Sequence, residues 1–189
     1  MKWVLRIVAA VVAVIVLAVL GLWLAGFRKG AGRNSATVEI FRPPAQTWRY
    51  LTNDDLVKKW VSGLTEIRHL TPGVEGVGNR FEMTVVMDGE RTDMVMAITA
   101  YVPNRQIAFK LESFGSPSMG FIETGEYAIV EQDRHTLLTL TGTSKYYPFR
   151  LQLMEPLITP SAQKKLVGDL ARLKSLVEAE PPASAESQP

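Results

Sequence analysis

From Ile7 to Phe27 the chain carries no charged residue: IVAAVVAVIVLAVLGLWLAGF. At about 1.5 Å of rise per residue, a helix of this length matches the roughly 30 Å hydrocarbon core of a bilayer. Its many Val and Ile residues do not argue against a helix, because in lipid every backbone N–H and C=O has to pair within the segment. Trp3 and Trp23 lie near the two ends, where indole rings favour the interface. A membrane anchor over residues 1–29 is therefore expected. The competing reading is a cleaved signal peptide, with Lys2 and Arg6 as its positive flank. The run exceeds the roughly 7–15 residues of a signal core, and Leu24-Ala25-Gly26 is a poor cleavage site. Lys2 and Arg6 before the run nearly balance Arg28, Lys29 and Arg33 after it, so charge alone does not orient the span. A short tail before a long domain favours a single-pass protein of the cell membrane, with the domain on the exported, periplasmic or extracellular side.

Gly30–Ala36 (GAGRNSA) reads as a flexible linker, residues 37–178 as one domain, and residues 179–189, rich in proline and polar residues, as a disordered tail. The apolar fraction of 47% is inflated by the anchor. With a net charge of +2 and no long basic run, the chain has no electrostatic footprint for nucleic acid. The basic residues just after the anchor suit lipid head groups. The absence of cysteine excludes disulfides, thiol catalysis and cysteine metal sites.

Within the domain, Thr37–Phe41 alternates as a strand, and Pro43-Pro44 then starts a helix with Trp48 and Leu51 on one face. Asn53 and Asp54 cap a second short helix, Asp55–Val61. Beyond Gly63 the period falls to two. Strands are expected at Leu64–Leu70, Arg80–Met87, Arg91–Tyr101, Gln106–Ser113, Gly120–Val130 and His135–Tyr146, an antiparallel meander. Asp88-Gly89, Pro103-Asn104 and Asp133-Arg134 mark turns, and the loop Gly115–Ser118 joins the fourth and fifth of these strands. Leu166, Val167, Leu170, Leu173, Leu176 and Val177 recur at helical spacing. Phe149–Ile158 is an earlier segment of that helix, interrupted around Pro156 and Pro160.

This order, with its local words, resembles the SRPBCC superfamily, the helix-grip fold of START domains, polyketide cyclase/dehydrases and birch-pollen-allergen proteins. Pro43-Pro44-Ala45-Gln46-Thr47-Trp48 is similar to that family's first helix opening. Asn53-Asp54-Asp55-Leu56-Val57-Lys58-Lys59-Trp60 is similar to its second. Gly76-Val77-Gly78-Asn79-Arg80-Phe81 resembles its strand entry, and Asp169-Leu170-Ala171-Arg172-Leu173-Lys174 its closing helix. The resemblance spans about residues 37 to 178 and implies an α+β fold: a curved antiparallel sheet wrapped around a long C-terminal helix, with a cavity between them. It does not name a reaction, because the superfamily includes carriers, sensors and enzymes.

The candidate chemistry is sparse. Met83, Met87, Met94 and Met96 fall on one face of two adjacent strands and are expected to point inward, either as adaptable pocket lining or as core filling. With Tyr101, Phe109, Glu123 and Tyr127 they are the candidate ligand-binding residues. Alternation puts Glu123 on the same face as Phe121, Tyr127 and Ile129. A carboxyl held in such a cavity has its pKa raised and suits general base work, with Tyr101 and Tyr127 orienting a carbonyl or hydroxyl. The competing reading leaves Glu123 solvated near the strand's open end. Gly73, Gly76 and Gly78 are misspaced for a nucleotide loop, and the Ser161–Lys164 S-x-x-K lacks its companion motifs. His135 is expected to be solvated beside its turn and His69 half exposed at a strand end, and no further ligands stand at a helpful spacing, so no metal or other cofactor is expected. The resulting expectation is a membrane-tethered domain that binds or transports a hydrophobic small molecule or lipid, ranked above an enzyme of the cyclase, dehydratase or hydrolase kind using Glu123. A protein-interaction module resembling the Hsp90-activator relatives is the third reading.

Overall fold

The computed structural model describes residues 2–26, 32–87, 89–114, 120–147 and 149–181. The apolar run lies in helix α1 (Lys2–Gly26). Its Lys2–Leu24 stretch has a mean hydropathy of 3.1, none of it is buried, and it is long and apolar enough to cross a membrane. An N-terminal helix of this kind fits an anchor or a signal sequence. The domain follows as β1 (Arg33–Ile40), α2 (Pro44–Thr52), α3 (Asp54–Trp60), β2 (Leu64–His69), β3 (Arg80–Met87), β4 (Glu90–Val102), β5 (Gln106–Phe114), β6 (Gly120–Gln132), β7 (His135–Tyr147) and α4 (Phe149–Ala179). The tail expected to be disordered falls mostly on 182–189 and the loop on 115–118, both outside the described residues.

Turn chemistry sets the meander. Asp133 and Arg134 hold φ of 50° and 66° between β6 and β7, the left-handed pair that a two-residue hairpin needs. All seven strands pair antiparallel in the order β1-β7-β6-β5-β4-β3-β2. β1 begins four residues before the alternation signalled it: Arg33–Ala36 pair with Thr143, Gly142, Thr141 and Leu140. β7 is thirteen residues long and leaves that stretch of its edge open, so the polar sequence Arg-Asn-Ser-Ala is drawn into the ladder.

The two short helices close one end of the core. Asn53 caps α3 by accepting the N–H groups of Asp55 and Leu56, each at 3.1 Å. The Trp60 indole donates to the Tyr50 carbonyl at 2.8 Å, tying α3 to α2. α4 runs unbroken through Pro156 and Pro160. Its distal half buries Leu170, Leu173 and Val177 against Ile40, Tyr50, Trp60, Ile107, Phe109 and Leu138. At about 1.5–3 kcal/mol for each fully buried aliphatic side chain, these three contacts dominate the packing of the helix. The Arg42 guanidinium finishes it, donating to the Glu178 carbonyl at 2.6 Å and the Glu180 carbonyl at 2.9 Å, where orphan carbonyls and the helix dipole favour a cation. A second cluster, Leu64, Met83, Val85 and Met94, lies at the β2–β4 side under Val57 and Val61.

Candidate functional site

The inner wall follows from register. Phe121, Glu123, Gly125, Tyr127 and Ile129 of β6 stand opposite Tyr146, Ser144, Gly142, Leu140 and Leu138 of β7. Leu138 and Ile129 are buried core, so this whole row faces α4. Glu123 therefore points inward, as its spacing from Phe121 and Tyr127 predicts. Ser144 Oγ donates to Glu123 Oε2 at 3.0 Å. Two glycines make the space: a Cβ on Gly142 would lie 2.9 Å from Glu123 Oε1, and one on Gly125 would lie 2.4 Å from Phe109 Cζ. Phe109 and Tyr127 pack ring to ring at 5.6 Å, and Trp60 meets Tyr127 edge-on at 6.4 Å.

Burial pushes the Glu123 carboxyl above its usual range, while the Ser144 hydroxyl and the Lys165 ammonium pull the other way. Tyr127 is raised by burial first, then by the charges of Glu123 and Asp169, so its hydroxyl stays protonated. Burial likewise raises Tyr146, helped by Glu123 and Glu155 and opposed by Ser144. Opposite this row, α4 contributes Lys165, whose Nζ lies 2.5 Å from Asp169 Oδ2, while Asp169 Oδ1 accepts the Ser62 N–H at 3.0 Å. The wall thus offers a carboxyl, an aliphatic hydroxyl and two phenols among aromatic rings. Such a set hydrogen-bonds a hydroxyl or carbonyl and supports proton transfer to or from it.

Ser144, Tyr146, Lys165 and Asp169 were not singled out in the sequence. For the first two a signal was present, since they continue the inward alternation of Leu138 and Leu140. Lys165 and Asp169 are an ordinary i,i+4 pair until the sheet is set beneath them.

The methionines divide. Met83 and Met94 face each other across β3 and β4 and are buried, with Met96 packed behind them. Met87 does not face the interior: it is 47% exposed. It keeps the parity of Met83 but lies at the β3–β4 hairpin end, past the residues that cover the sheet. Tyr101 is also displaced from the expected grouping. β4 bulges between Ile98 and Ala100, and the Tyr101 ring packs against Trp48 at 5.2 Å and beside Gly76. The bulge switches the inward parity of β4 from Met94, Met96 and Ile98 to Tyr101, which pairs with the buried Ile107, while Glu123 pairs with Leu111 four residues further along β5. His69 meets Asp54 at 2.9 Å and His135 meets Glu39 at 3.6 Å. Among the described residues no group of three or more His, Asp and Glu side chains could hold a metal.

A cleft of about 190 Å³ opens instead on the outer face of the sheet, lined by Glu66, Arg68, Glu82, Thr84 and Arg91. Three of its charged side chains are paired in place. Arg68 pairs with Glu82, and Arg91 Nε lies 3.0 and 3.2 Å from the two oxygens of Asp93.

The sequence pattern of the family described as polyketide cyclase / dehydrase and lipid transport matches residues 32–178. The chain belongs to this family. Its fold is the SRPBCC helix-grip fold, which supports the binding of a hydrophobic ligand. No curated protein sequence matches the chain. Among solved structures, the Zhui aromatase/cyclase from Streptomyces sp. R1128 superposes with a TM-score of 0.66 at 18% identity, over 82% of this chain and 98% of that one. A protein from Thermus thermophilus gives 0.63 at 18%, over 78% and 97%. Ara h 8.0201 gives 0.59 at 15%, over 79% and 100%. At such identities the likeness is one of fold. The cyclase/dehydrase family domain begins at β1, so α1 lies outside the matched region.

Proposed function

We propose that this domain holds a hydrophobic molecule bearing a hydroxyl or carbonyl group between its sheet and α4, and that α1 tethers it to a membrane so that the ligand is a lipid or a lipid-soluble compound. One observation carries the reading. A carboxyl with a raised pKa, Glu123, stands on the inner wall among Phe121, Phe109 and Tyr127, held by Ser144. Apolar sites with a few fixed polar groups bind apolar ligands in one orientation. The buried Met83 and Met94 and the half-buried Met96 supply adaptable volume on β3 and β4. The family description, which joins cyclization, dehydration and lipid transport, supports both halves of the proposal.

A second reading is favoured by the same cluster. Glu123, Ser144, Tyr146 and Tyr127 form the set of inward polar groups that a cyclase or dehydratase would use, with Glu123 moving the proton. The experiment is native mass spectrometry of the full chain released from nanodiscs, with identification of any small molecule it retains. A retained apolar compound, recovered unchanged after incubation with fresh protein, supports carriage. Conversion of that compound, abolished in Glu123→Gln, supports the enzyme. Protein that carries nothing and takes up no member of a fluorescent lipid series overturns both.

A further inference from the structure

The outward stripe of α4 changes character along its length. In the distal half, Lys164, Val167, Gly168, Ala171, Arg172 and Ser175 face solvent, a mostly small or polar set with Val167 as its large apolar member. In the proximal half the same stripe presents Met154, Leu157 and Pro160, with Met154 48% and Leu157 59% exposed even though α1 packs against this helix. A water-facing helix has no reason to concentrate its apolar outer residues in one half.

The topology says what lies there. β1 follows α1 in the chain after residues 27–32, so covalent geometry keeps the start of β1 within about 25 Å of the end of α1. Because every neighbouring pair is antiparallel, the start of β1, the end of β7, the start of α4 and the β3–β4 hairpin share one end of the sheet. That end presents the apolar Val86, Met87 and Tyr147 at the surface, each more than a third exposed. The exposed Arg33 and Lys145 lie at the same end, and Arg28 and Lys29 occupy the connector. Apolar side chains ringed by cations suit the boundary between acyl chains and anionic head groups.

We infer that the proximal half of α4, with Met154 and Leu157 leading, docks onto the surface of the bilayer that α1 crosses. This inference rests on α1 being a membrane anchor. It adds that the domain lies on the bilayer at one end, with Glu123 and Ser144 on the strands that end there, so that a lipid reaches the inner wall without crossing water.

The chain has no cysteine, which permits single labels in the full-length protein. Met154→Cys, Leu157→Cys, Lys164→Cys, Val130→Cys and Val14→Cys would each carry an environment-sensitive fluorophore. Each protein is reconstituted into vesicles of phosphatidylcholine and phosphatidylglycerol bearing spin labels at the head group, a shallow acyl position or a deep acyl position. The expected result is loss of fluorescence at 154 and 157 with head-group and shallow quenchers, loss at 14 with the deep quencher, and none at 164 or 130. Quenching at 14 with none at 154 and 157 overturns the docking face and leaves the anchor standing. A label at 154 and 157 shielded from water yet unquenched by lipid indicates a second copy of the chain on this face and also overturns the proposal. No quenching at 14 removes the anchor and the docking with it. Position 157 decides alone if the 154 label disturbs folding, judged by the near-ultraviolet circular dichroism of each variant.

Discussion

Glu123 and Ser144 face each other across β6 and β7, with the hydroxyl donating to the carboxyl at 3.0 Å. The pair is the inner wall's polar centre, and its charge state is set by burial rather than by a matched cation in contact.

That charge state has a consequence for stability. The folded pKa of Glu123 lies above its ordinary 4.5, so the folded protein binds this proton more tightly than the unfolded chain does. Its contribution is most favourable below 4.5 and is lost as pH rises through the folded value. Glu123→Gln, which keeps an acceptor for Ser144, is therefore expected to raise the melting temperature at neutral pH. The gain should shrink towards zero at about pH 4. Thermal melts of both proteins across that range check it, and a pH-independent difference contradicts it.

Leu170 is 2% exposed in the contact between α4 and the sheet. Leu170→Asp buries an unpaired charge there and should cost several kcal/mol. Chemical denaturation measures the loss, and an unchanged midpoint would show that the helix is not packed as described.

Asp169 joins α4 to the turn after α3 by accepting the Ser62 N–H, and within α4 it also accepts from Lys165. Asp169→Ala leaves both donors without their acceptor and should destabilise by about 1–3 kcal/mol. Asp169→Asn retains an acceptor for Ser62 and should lose less. Equal losses in the two variants would mean that the Ser62 bond contributes nothing.

If the methionines bound the ligand's volume, Met94→Ala should shift binding towards longer or bulkier chains, and Met96→Trp should weaken binding of bulky ones. Fluorescent lipid titration of folded variants reads this. Identical chain-length profiles in parent and variants would make Met83, Met94 and Met96 plain core.

The mature protein is expected to retain α1. The intact mass of the membrane-extracted chain tests this, and a form starting near Gly26 or Arg28 refutes it.

The element order was legible because local signals are strong here: Asn53 caps α3, the Asp133-Arg134 turn sets a hairpin, and strict alternation over Phe121–Ile129 put Glu123 on the inner face. Where alternation was broken, reading failed. The bulge at Ile98–Ala100 turned Tyr101 onto the inner face, opposite Ile107, where strict alternation from Met94 and Met96 places it outside, and nothing in Met-Ala-Ile-Thr-Ala-Tyr announces an extra residue. Met87 shows the other limit: parity assigns a face, but only the extent of the covering elements decides whether that face is buried.

The amino-acid pattern alone determined the apolar helix, the alternating strands and the periodic face of α4, since each depends on residues a few positions apart. The tertiary structure decided which polar groups meet. Ser144 reaches Glu123 through strand register 21 residues away, and Asp169 reaches the Ser62 N–H across 107. Such contacts depend on where whole elements pack, and the hydrophobic burial that packs them is non-directional, so it leaves no local mark at the polar residues it brings together.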